Sequence, residues 1–134
     1  MDGKSGVEVI KQKFGGVNQQ YKIRMQKGHS FTATMSDEGI VVDNLGPQPL
    51  LPWIVFEEAI ELLIRKGGRA EKGDAMACTL GDSGLALDSI EGHIAYKVYG
   101  KKPGVMIFRR ISPISAILIW AGLCKNAPGE LVLR

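Results

Sequence analysis

The sequence predicts an α+β fold in which an antiparallel β-meander is followed by a helix-rich half. Three observations carry this: polar–apolar alternation from Tyr21 to Met35, a proline-rich break at Gly46–Pro52, and several apolar-periodic segments with start or stop signals beyond it.

The elements are expected in this order. Met1 to Gln20 mixes Gly, Lys and Gln with little periodicity and reads as a mobile N-terminal segment. Tyr21, Ile23 and Met25 then alternate with Lys22, Arg24 and Gln26, and Lys27-Gly28-His29-Ser30 makes a turn. Phe31, Ala33 and Met35 alternate with Thr32, Thr34 and Ser36, Asp37-Glu38-Gly39 turns again, and Ile40 to Leu45 gives a third strand. Period-two alternation with short glycine turns means a meander with one wet face. The three prolines of Gly46-Pro47-Gln48-Pro49-Leu50-Leu51-Pro52 cannot continue a central strand or a helix, so the module boundary belongs here.

Helix one should run from about Trp53 to Lys66, on Val55, Phe56, Ala59, Ile60, Leu62 and Leu63, and stop at Gly67-Gly68. A short helix is expected within Arg69–Ala77, and Leu80–Gly84 reads as a loop. Asp88-Ser89-Ile90-Glu91 resembles a capping box opening a helix lined by Ile90, Ile94 and Val98 and ended by Gly100. A basic turn at Lys101–Gly104, a short strand at Val105–Phe108, and a buried helix Pro113–Leu123 opened by Ser112 follow. Asn126–Gly129 turns into a last strand, Glu130–Arg134. The organisation is thus 1–20 mobile segment, 21–52 meander and linker, and 53–134 helix-rich half.

Composition excludes several classes. Apolar residues make up 45% and charged residues 23%, which is ordinary for a folded domain and argues against general disorder. The most apolar run, Ile111 to Cys124, is short of the ~20 residues needed to span a bilayer, so no membrane partner is expected. Early Asp2, Lys4 and Glu8 with no apolar core after them do not make a secretory signal. Cys78 and Cys124 lack C-x-x-C spacing and read as small buried hydrophobes in a reducing, cytoplasmic compartment.

Catalytic readings lack parts. His29 and His93 are the two histidines, too few for a multi-histidine metal site, and no nucleophile–base pair stands out. We expect no enzyme, no metal and no cofactor. Asp82, Asp88, Glu91 and His93 cluster in sequence and could meet a hard cation, but Asp88 and Glu91 already have a capping role. Glu57, Glu58 and Glu61 read as a solvated helix face. The glycines at Gly67, Gly68 and Gly73 match no phosphate loop.

The charge is unevenly spread. Residues 1–64 hold six Lys/Arg against eight Asp/Glu, whereas residues 65–110 hold nine against five. A polyanion is therefore to be sought in the middle third. Its cations fall into three groups: Arg65, Lys66, Arg69 and Lys72 at the end of helix one; Lys97, Lys101 and Lys102 at the next helix end and turn; Arg109 and Arg110 before the buried helix. On one face they would neutralise several phosphates; scattered, they are solubility and dipole charges.

The segments Phe108-Arg109-Arg110-Ile111, Ala116, Leu118, Ala121-Gly122-Leu123 and Pro128-Gly129-Glu130-Leu131-Val132-Leu133 carry a resemblance. They are similar to the end of the N-terminal winged-helix domain of bacterial restriction endonucleases that cut methylated DNA. The resemblance implies a winged-helix-like half over 53–134 and contact with duplex DNA; nothing matches the nuclease domain, so cleavage is not implied. The helix Pro113–Leu123 has no charged residue, unlike a recognition helix that reads bases. DNA contact is therefore expected through phosphates, from the three basic groups. The alternative is a non-enzymatic adaptor that forms a homodimer or holds a protein partner through apolar surface around Trp53 and Trp120.

Overall fold

A computed structural model describes all residues, Met1–Arg134. The chain is α+β, with a four-stranded antiparallel meander and a second, three-stranded antiparallel sheet.

The N-terminal segment is not a mobile tail. It forms helix α1, Gly3–Phe14, closed by a capping box in which Asp2 Oδ1 accepts from the Ser5 N–H and Ser5 Oγ accepts from the Asp2 N–H. Val7, Ile10 and Phe14 share its buried face. The glycines that read as flexibility serve close packing instead. A Cβ on Gly3 would lie 2.5 Å from the Glu57 carbonyl oxygen, and one on Gly6 would run into Ile60 Cδ1. The two helices meet at these small residues, and the Gly3 N–H donates to Glu61 Oε1 at 2.6 Å.

The meander comprises β1 Gln20–Arg24, β2 Ser30–Met35, β3 Gly39–Val42 and β4 Leu50–Pro52, paired in that order. Its alternation follows the sequence in β2 and β3, where Phe31, Ala33, Met35, Ile40 and Val42 are buried; in β1 Ile23 is buried but Tyr21 is 40% exposed, and β3 ends at Val42, short of the expected Leu45. The proline-rich stretch is not only a break. It returns as β4 at the sheet edge, where a missing N–H is tolerated, with Leu51 opposite Ile40.

Helix α2, Trp53–Arg65, follows β4 directly and ends through left-handed Gly67 and Gly68, the Gly68 N–H donating to the Leu63 carbonyl. Arg69–Ala77 is not a helix: β5, Arg69–Glu71, pairs with a strand from the C-terminus, and turns follow. A 3-10 turn at Ser83–Leu85 leads to α3, Ile90–Lys97. Ser89, not Asp88, caps α3, its Oγ accepting from the Gly92 N–H at 3.1 Å. Val105–Phe108 is not a strand; Leu80 holds this segment through backbone bonds with Gly104 and Val105.

Helix α4 spans Ile111–Trp120, so it starts before the expected Ser112 cap and stops short of Leu123. Pro113 is its third residue, where an N–H needs no intrahelical partner. The hairpin of β6, Cys124–Ala127, and β7, Glu130–Leu133, completes the second sheet in the order β5-β7-β6; β6 is an unexpected strand, whose second half takes up the start of the expected turn. One apolar core includes Phe14, Ile40, Phe56, Ile94, Ile117 and Leu131, so α1, the meander and the C-terminal half are packed as one body. No helix is long and apolar enough to cross a membrane.

Candidate functional site

The structure sorts the nine basic residues by what each already holds. Lys66 Nζ lies 2.8 Å from Asp88 Oδ2, and Arg69 Nη2 lies 2.8 Å from Glu130 Oε1. Lys66, by its hydrogen bond, holds the Asp88 carboxyl below its ordinary range. These two cations are partly neutralised, although both pairs are open to water and weak. Arg65 is exposed at the end of α2.

Arg110 does not belong to a ligand-facing set. It is 5% exposed, with its guanidinium 3.7 Å from the Tyr99 ring centroid and 4.8 Å from that of Phe108, and it donates to Gln48 Oε1. A basic pair ahead of a helix looks uniform in sequence; here one member turns inward to stack on aromatics and the other, Arg109, turns out.

Two surfaces remain. Around a shallow hollow of about 550 Å³ stand Lys97, Lys101 and Lys102, with Tyr96, Gly100 and Pro103. All three lysines are exposed, and the salt bridges of the chain involve none of them. Tyr96, 52% exposed, gives this basic hollow an aromatic ring. The second surface is a groove of about 1120 Å³ between the β1–β2 turn and the C-terminal half. Lys27 and His29 reach it from the turn, Lys72 from the segment after β5, Arg109 and Ser112 from the start of α4. Lys27 and His29 were visible as turn residues, but no sequence signal linked them to Lys72, more than forty residues on.

Helix α4 cannot read base edges. From Pro113 to Leu118 every residue is buried, and α4 packs on β1. Its last residue, Trp120, is half-buried against Phe14 at 4.8 Å and Tyr21 at 5.1 Å between centroids. Trp53 donates from Nε1 to the Asp37 carbonyl and lies under Lys11. Both tryptophans that could have formed an exposed apolar patch are thus contacted by α1 residues.

The four residues clustered in sequence part company. Asp82 Oδ2 accepts from the Thr79 N–H and hydroxyl, Asp88 pairs with Lys66, and His93 Nε2 lies 2.9 Å from Glu58 Oε1, so Glu58 is not merely a solvated face. Glu91 is buried, its Oε1 accepting from the Arg110 N–H at 2.6 Å. It therefore sits at the N-terminus of α4 rather than capping its own helix. Burial pushes its carboxyl up to about 7, against the pull of the Arg110 N–H and the Arg110 and Arg109 charges. Cys124 is buried too, and burial pushes its thiol up to about 12; Cys78 is partly exposed.

No protein-family model, no curated protein and no solved structure matches this chain.

Proposed function

We propose that this protein binds nucleic acid, chiefly duplex DNA, through phosphates, as a non-enzymatic accessory or regulatory protein. The observation that carries the reading is the hollow ringed by Lys97, Lys101 and Lys102, three exposed cations without a carboxylate partner at the end of α3 and in the turn after it. Cations so presented release counterions from a polyanion and give affinity without sequence preference.

The topology supports the winged-helix reading of this half. Helix α2, edge strand β5, helices α3 and α4, then the β6–β7 hairpin, with β7 between β5 and β6, is compatible with a winged helix; the basic strand that should lead into the buried helix is not formed, Val105–Phe108 being irregular. The burial of α4 turns the reading away from base recognition and toward the backbone. Arg65 and Arg109 add exposed charge, while Lys66, Arg69 and Arg110 are engaged within the chain.

The test is a fluorescence anisotropy titration of a short random-sequence duplex at low salt, with Lys101→Glu/Lys102→Glu beside the parent. The reading expects binding by the parent and its loss in the folded double variant. Equal binding by both, or none by either, removes DNA and leaves the adaptor.

A further inference from the structure

The groove between the β1–β2 turn and the C-terminal half is a different feature from the lysine hollow, and it gathers charge from parts of the chain far apart in sequence. Lys27, Lys72 and Arg109 line it, and none has a carboxylate within salt-bridge distance. Lys72 Nζ donates to the neutral Asn126 Oδ1, which leaves its charge uncompensated.

Three carboxylates also line the groove; Glu130 is paired with a cation, whereas Asp74 and Glu71 keep their charge. Glu130 is held by Arg69, and Asp74 Oδ1 accepts from the Met76 and Ala77 N–H groups. Glu71 is exposed beside Lys72 in the chain. Glu91 lies behind Gly73, where a Cβ on the glycine would meet it at 3.2 Å, and it already takes the Arg110 N–H. The helix N-terminus is thus served by a protein carboxylate, and the cations left for a ligand, Lys27, Lys72 and Arg109, share the groove with Glu71 and Asp74.

We propose that this groove binds a phosphate-bearing small molecule of about mononucleotide size, with Lys27, Lys72 and Arg109 on the phosphate. At about 1120 Å³ the groove is larger than such a ligand, so the three cations and not the volume select the ligand class. Met25 and Met76 also line it and supply adaptable apolar wall for a ring, Met76 being 70% exposed with nothing of the chain over most of it. Lys72 is held below the ordinary lysine range, by burial first and by repulsion from Lys27 second. An anion between the two relieves that repulsion.

The probes are AMP, adenosine and inorganic phosphate, titrated into the isotopically labelled full chain and followed by amide chemical shifts. AMP is expected to shift Lys27, Gly73 and Ser112 saturably, phosphate to shift the same amides more weakly, and adenosine to shift them little. Lys72→Ala/Arg109→Ala, checked for a dispersed spectrum, should weaken AMP about tenfold or more, as loss of charge-assisted hydrogen bonds requires. Lys101→Glu/Lys102→Glu should leave AMP binding as it was, which separates this site from the DNA reading. No saturation with AMP, adenosine binding as well as AMP, or shifts centred on Lys101 and Lys102 would overturn the proposal. If Lys72→Ala/Arg109→Ala does not fold, Lys27→Ala in the exposed turn carries the same expectation with a smaller loss.

Discussion

Glu91 Oε1 accepts the Arg110 backbone N–H at 2.6 Å, and through this bond α3 holds the start of α4. Glu91 Oε2 and Arg110 Nε are both buried without a hydrogen-bond partner. Such atoms are costly in a low-dielectric interior, so the pair joins the two helices at the expense of stability when Glu91 is ionised.

That cost gives a pH dependence of definite sign. Burial raises the folded carboxyl from 4.5 to about 7, so the folded state holds the proton more tightly than the unfolded one. Stability is greatest below the unfolded value and falls as pH rises to about 7, by roughly 3 kcal/mol at most from this group. Glu91→Gln keeps an acceptor for Arg110 and removes the ionisation. Urea unfolding at about pH 5 and about pH 8 should show a larger loss for the parent than for the variant. Parallel pH profiles would contradict the assignment.

Helix α1 is part of the core. Phe14 is 1% exposed and packs on Tyr21 and Trp120. Phe14→Ala should cost about 3–5 kcal/mol in denaturant unfolding. A change below about 1 kcal/mol, the scale of a surface substitution, would mean that the segment is not docked.

The difference between that result and the expected mobile tail shows what the sequence could convey. The meander strands and α2 are legible because periodic burial writes directly into residue type at Ile23, Phe31 and Ala33, and at Val55, Phe56 and Ala59. Gly3 and Gly6 are not, since a glycine that lets two helices touch looks like one that loosens a chain. For the candidate site, charge was legible and pairing was not. Arg69 finds Glu130, 61 positions away, and Lys66 finds Asp88, 22 away. Helix α3 begins after Ser89 rather than Asp88, and Glu91 turns inward to another helix.

Arg110 should act on stability and not on nucleic acid. Arg110→Met removes the stack on Tyr99 and Phe108 and the bond to Gln48, and should cost about 1–3 kcal/mol. The folded fraction should bind a duplex as the parent does. A selective loss of duplex affinity with unchanged stability would return Arg110 to the interface.

Gly92 marks where α3 meets the preceding loop. A Cβ there would run into the Ala86 carbonyl oxygen, a backbone atom with little room to yield. Gly92→Ala should therefore destabilise by about 1–3 kcal/mol despite the higher helix propensity of alanine. A thermal melt showing stabilisation would mean that the loop is free to move away.

The most direct test of phosphate-directed binding is the salt dependence of duplex affinity. Lys97, Lys101 and Lys102 together should give a slope of log K against log salt of about −3, and Lys101→Glu/Lys102→Glu should remove most of it. A slope near zero, or one the double variant leaves unchanged, would contradict the account.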